Sequence, residues 1–116
     1  MRAPILALAL ALTAIPADAD SIPPAEARTH VGQNVTVEGV VSGVHHVAPS
    51  KVTFIDLGGR YPNNALTCVI LKTNAAKFPD VDTLDGKTIE VSGTVTLYKK
   101  EPQIILNDAA QIKIKQ

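Results

Sequence analysis

Two phenylalanines and two tyrosines, Phe54, Phe78, Tyr61 and Tyr98, are the aromatic side chains of this 116-residue chain. Cations stand near them at Lys51, Arg60, Lys99 and Lys100. Rings that stack on flat groups, with cations beside them for phosphates, are the ingredients of sequence-tolerant binding to a single strand. Phe54 lies in the alternating run KVTFIDL (51–57). If Ile55 and Leu57 face a core, Phe54 and Asp56 face away from it. Tyr61 falls in the connection LGGRYPNNAL (57–66), and Tyr98 borders the turn Lys99 to Pro102. Phe78 follows a short helical stretch and reads as a core ring. The candidate ligand-binding residues are therefore Phe54, Arg60, Tyr61, Tyr98, Lys99, Lys100 and Lys51. The plainer alternative packs the tyrosines on strand edges and leaves the lysines to solvate turns.

Other chemistries find less support. His45 and His46 are adjacent, so on an extended segment their rings leave opposite faces, which opposes joint chelation. No Cys/His spacing suits zinc, and Asp80, Asp82 and Asp85 lack the glycine and closing glutamate of a calcium loop. The expectation is no metal and no cofactor. Gly58-Gly59 does not lead through Gly-Lys-Ser/Thr into a helix, so it is a turn and not a phosphate cradle. No nucleophile has an identifiable base partner, and Asp56 is a lone carboxylate, so the chain reads as non-enzymatic.

Composition bounds the partners. Lys+Arg and Asp+Glu are each 11, giving a formal net charge of +0. Tight nucleic-acid binders usually carry a basic excess, so any basic surface here must be local. Met1-Arg2, the apolar run Ile5 to Ile15, Pro16 and Ala17-Asp18-Ala19 follow the order of a secretory signal peptide. Its apolar run is well short of the roughly 20 residues that span a bilayer. Residues 1–19 are expected to be removed and 20–116 to form one exported, periplasmic domain with no membrane span. With one cysteine, Cys68 in LTCVIL, that domain has no internal disulfide and must be held by packing.

The elements that would position the rings are mostly strands. Pro23-Pro24 and AEARTHV (25–31) predict a short N-terminal helix, ended by Gly32. Asn34 to Val44 alternates with β-branched residues, and Gly39 and Gly43 within it predict a bend or bulge. His45 to Ser50 reads as a loop, Lys51 to Leu57 as a second strand, and Leu66 to Lys72 as a third. NAAKF (74–78) predicts a helical turn. Thr88 to Tyr98 is a fourth strand with Ile89, Val91, Gly93, Val95 and Leu97 inward and Glu90 outward. Gln103 to Lys115, interrupted at Asn107 to Ala110, is a fifth. The order β-β-β-α-β-β predicts an all-β, five-stranded antiparallel OB-fold barrel, with a short helix between strands 3 and 4.

The residues also carry a resemblance. TFIDLGGRYPNNALTCVI (53–70), FPDVDTLDGKTIEVSGTVTLYKKEPQIILNDAAQIKI (78–114) and AEARTHVGQNVTVEGVV (25–41) resemble a family of small bacterial exported OB-fold domains. The resemblance implies binding of single-stranded nucleic acid. A periplasmic protein- or glycan-interaction module without that role is the alternative, favoured by export and neutral charge. The chain departs from the family at Lys99-Lys100-Glu101-Pro102, where relatives often have a glycine. It departs again at Leu66, where relatives often have an aromatic ring, which weakens an expected stacking position.

Overall fold

The computed structural model describes residues 21–115. The expected signal peptide, residues 1–19, lies outside the described residues. The strands are β1 (Asn34–Val47), β2 (Val52–Leu57), β3 (Leu66–Ile70), β4 (Thr88–Tyr98), β5 (Glu101–Ile105) and β6 (Ile112–Ile114). Their order is β1-β2-β3-β5-β4-β6, and β1 also pairs with β4, so β1 to β5 close into a ring. Pairing between these strands is antiparallel except between β3 and β5, which is parallel, against the expectation of a wholly antiparallel sheet.

Closure depends on the length of β1. Its first half, Asn34 to Val40, pairs with β4, and its second half, Val41 to Val47, pairs with β2. The hand-over is marked by a register shift between Val41 and Gly43, the bulge that the glycines predicted. β1 runs on through His45 and His46, which pair with Phe54 and Thr53, so the loop expected at His45 begins only after Val47. Strand pairing with β2 outweighs the weak local signal of two histidines.

The helical elements are all 3-10 turns among the described residues. Pro24–Thr29 replaces the helix expected over 25–31. Between β3 and β4 lie two turns, Lys72–Lys77 and Val81–Leu84, where one was expected. They bring Phe78 and Leu84 into the core, so the ring of Phe78 is a core ring as predicted. His46 joins the second of these turns to the sheet: Nδ1 lies 3.0 Å from Thr53 Oγ1, and Nε2 lies 2.7 Å from Asp82 Oδ1.

The expected fifth strand is two strands. Asp108 and Gln111 form a capping box: Asp108 Oδ1 accepts from the Ala110 N–H at 2.9 Å, and Gln111 Oε1 accepts from the N–H groups of Asn107 and Asp108. A short side-chain-capped turn is thus favoured over continued pairing, and β6 instead lies along β4. That placement explains Glu90, expected outward. Paired across from Lys113 and with Lys115 Nζ 3.4 Å away, it is buried. Leu97, expected inward, is exposed because β4 and β5 project past the ring as a hairpin.

Inside the ring, Ile55, Leu57, Leu66, Cys68, Ile89, Val91, Val95 and Ile104 are fully or almost fully buried. Each large aliphatic side chain contributes about 1.5–3 kcal/mol by leaving water. Burial, and secondarily the charge of Asp56, push the Cys68 thiol from its ordinary 9.0 up to about 12. Because the thiolate is the nucleophile, labelling by a disulfide reagent at pH 8 is expected to be negligible in the native protein and complete in denaturant. Rapid native labelling would show that β3 opens. A raised thiol pKa favours the folded state fully below pH 9 and loses that contribution as pH climbs toward 12, so alkaline stability should fall across that window.

The β4–β5 turn departs from the residues that such turns prefer. Lys99 and Lys100 have φ of 51° and 71°, and a two-residue hairpin loop with both central residues left-handed suits Asn-Gly. A non-glycine residue there costs roughly 1–2 kcal/mol, partly offset by the greater chain entropy that glycine loses on folding. Lys100→Gly is therefore expected to stabilise the domain by about 0.5–1 kcal/mol. A thermal melt should show Tm higher by roughly 2–8 °C.

Candidate functional site

The outer face of β1, β2, β3, β5 and β4 carries one register row: Gly43, Asp56, Thr67, Gln103 and Thr96 pair in sequence from strand to strand. Beside Asp56 and two residues away along β2, Phe54 points to the same face and pairs with His45. The β2–β3 connection brings Tyr61 to one side, and the β4–β5 hairpin brings Tyr98 to the other. Between them is a groove of about 510 Å³, lined among others by His45, Phe54, Asp56, Tyr61, Tyr98 and Lys99.

Loop geometry places the tyrosines. Gly58 and Gly59, at φ 76° and 121°, turn the chain back so that the Ala65 N–H donates to the Leu57 carbonyl at 3.0 Å. This is the turn read from the sequence, with Tyr61 near its tip. Tyr61 is 70% and Tyr98 60% exposed, so both offer open faces, while Phe54 is half-buried. Lys99 Nζ sits 5.4 Å from the centroid of the Tyr98 ring, within cation–π range.

The groove floor holds a pair that the sequence reading did not find. His45 Nε2 lies 2.6 Å from Asp56 Oδ2, and the His45 ring meets Tyr61 edge to face at 6.0 Å. Asp56 is 1% exposed, and its Oδ1 accepts no hydrogen bond from any described residue. A Cβ at Gly43 would come within 3.3 Å of His45 Nε2 and 3.4 Å of Asp56 Oδ2, so that glycine leaves the room in which the pair meets. The signal lay in strand register: residues diagonal to one another on paired strands are within reach of long side chains. Two adjacent histidines carry no strand signal of their own, and only pairing with Phe54 of β2 holds His45 extended over Asp56. Thr67, which accepts from Asn64 Nδ2 at 2.7 Å, and Gln103 complete the polar floor.

Of the residues expected to bind a ligand, Phe54, Tyr61, Tyr98 and Lys99 line this groove. Arg60 and Lys100 are chain neighbours of Tyr61 and Lys99 but do not line it. Lys51 belongs elsewhere: it sits at φ 62° in the β1–β2 turn and lines a separate hollow of about 430 Å³ with His46, Phe78 and Asp82. Leu66 is buried opposite Leu57 in the core, so the lack of an aromatic ring at this position leaves the groove face untouched. His46 points away from His45, toward Thr53 and Asp82.

No protein-family model and no curated protein matches the chain. Solved structures do. An OBody, AM1L10, bound to hen egg-white lysozyme superposes with a TM-score of 0.63 at 18% identity, over 90% of this chain and 99% of the other. Asparaginyl-tRNA synthetase from Pyrococcus horikoshii matches at TM-score 0.55 and 17% identity over 77% of this chain. Aspartyl-tRNA synthetase from Entamoeba histolytica matches at 0.52 and 13% over 74%. The chain spans about a fifth of those synthetases, 21% and 19% of their lengths. At these identities the likeness is one of fold, and it agrees with the OB-fold indicated by the strand order.

Proposed function

We propose that this domain is an exported, periplasmic, non-enzymatic module that binds single-stranded nucleic acid in the groove. The observation that carries the reading is the convergence of Phe54, Tyr61 and Tyr98 on one face, two of them more than half exposed. Bases stack on such rings whatever their sequence. Lys99 at the rim, with Arg60 and Lys100 beside the tyrosines, meets phosphates. The synthetase neighbours, proteins that act on tRNA, support a fold suited to this task. Neutral overall charge implies few phosphate contacts, so affinity comes mainly from stacking.

Fluorescence anisotropy with a labelled single-stranded 12-mer tests the reading. Binding is expected at micromolar protein, with a slope of log affinity against log salt of about −2 if three cations meet phosphates. Absence of binding at roughly 50 µM protein in low salt would overturn it.

A second reading, a protein- or glycan-interaction module, is favoured by the carboxylates of Asp56 and Glu101 in the groove. The lysozyme-bound OBody, of the same fold and nearly the same length, supports protein recognition on this architecture. Failure of the anisotropy experiment would leave this reading in place.

A further inference from the structure

We infer that Asp56 is the base-reading residue of the groove: its buried Oδ1 accepts a hydrogen bond from the exocyclic amino group of a stacked base, cytosine N4 being the best fit. This rests on the reading of the groove as a nucleic-acid site and adds a specificity that stacking alone does not have.

Asp56 is 1% exposed, and among the described residues only one of its oxygens has a partner. A buried acceptor without a partner is costly, and an incoming donor removes that cost. The carboxylate is held on the floor of the groove, with the His45 and Tyr61 rings on one side of it and Thr67 beside it on β3. The Tyr61 ring beside it stands on a loop and is 70% exposed, so it can swing without moving the sheet while His45 keeps its contact with Oδ2. A base lying on Tyr61 presents its edge downward to the floor. A carboxylate only accepts, and a cytosine amino group only donates, which is the usual pairing of Asp or Glu with that base.

The same geometry rejects uracil. Where cytosine carries N4–H₂, uracil carries the acceptor O4, which would face a buried carboxylate oxygen with no proton between them. Sites built to hydrogen-bond a ligand N–H discriminate strongly against the analogue lacking it, because the buried partner is left unpaired. His45 acts as a positioning residue. Its contact with Oδ2 fixes the plane of the carboxylate and leaves Oδ1 as the oxygen free to accept.

Anisotropy of the full-chain protein with dC12, dU12 and a 12-mer of N4,N4-dimethyl-deoxycytidine tests the inference without altering the protein. The expected result is that dC12 binds about tenfold or more tightly than either of the others. Asp56→Leu, checked for folding by circular dichroism, should bring the dC12-to-dU12 ratio close to one while dU12 still binds. Asp56→Asn turns its carbonyl oxygen to the His45 donor and puts an amino group at the reading position, so it should lose or reverse the preference toward dU12, which a merely structural carboxylate does not predict. Equal binding of the three oligomers to the unaltered protein overturns this inference and leaves the nucleic-acid reading standing. The inference also falls if folded Asp56→Leu keeps the preference. If no oligomer binds, the proposed function falls and this inference with it.

Discussion

Replacing Tyr61 and Tyr98 together by alanine is expected to weaken binding of a single-stranded 12-mer by at least about 30-fold, with no loss of thermal stability beyond about 1 kcal/mol. Each stacked ring is worth roughly 1–3 kcal/mol, so losing both removes about 2 kcal/mol at the least, and 1.4 kcal/mol is a factor of ten. The stability side follows from exposure: at 70% and 60% exposed, neither ring fills core space. Tyr61 does touch His45 edge to face, and Tyr98 carries the Lys99 ammonium, contacts of modest worth at a surface. Anisotropy titrations beside thermal melts separate the two effects. If binding survives the double replacement, the groove is not the site, whatever the protein binds. Lys51→Ala makes the companion measurement. Lys51 lines a different hollow, so it should leave affinity within about twofold.

Much of this arrangement was legible in the residues, and what escaped had a common physical origin. The inward set Val37, Val41, Ile55, Leu57, Ile89, Val91 and Val95 follows from alternation, because a strand with one buried face repeats every two residues. The glycine turn at 58–59 followed from the need for positive φ, and Tyr61 at its tip followed from the turn. Pairing between distant strands could not be read in the same way. Nothing local at Glu90 announces that β6 will lie beside it. Nothing local at His45 says that β2 will keep the strand extended and bring Asp56 to the ring. The aromatic half of the groove was therefore found from types and spacing, whereas its polar floor needed the register of five strands. Lys51 falls outside this groove for the related reason that a turn between paired strands can open toward either end of the ring.

Gly93→Ala is expected to destabilise the domain by roughly 1–3 kcal/mol, even though alanine is ordinarily the better strand residue. Gly93 sits in β4 opposite Val35 of β1, one of the inward positions of that strand. A Cβ built there would lie 2.5 Å from Ile104 Cγ2 and 3.1 Å from Gln111 Nε2. The first neighbour is a fully buried methyl group on β5. The second donates to the Ser92 carbonyl at 2.9 Å and belongs to the turn that separates β5 from β6. Relief therefore requires β4 and β5 to move apart or the capping turn to shift, and both are fixed by strand pairing. A melt should show Tm lower by about 4 °C or more. Ile104→Ala removes the clashing methyl at a cost of about 2–5 kcal/mol of its own, because it empties core volume. The two changes meet at one contact, so the double variant should lose clearly less than the sum of the single losses, by at least about 0.5 kcal/mol. Additive losses would mean that the strain at Gly93 is not carried by Ile104, and that β4 and β5 are less tightly apposed than their register implies.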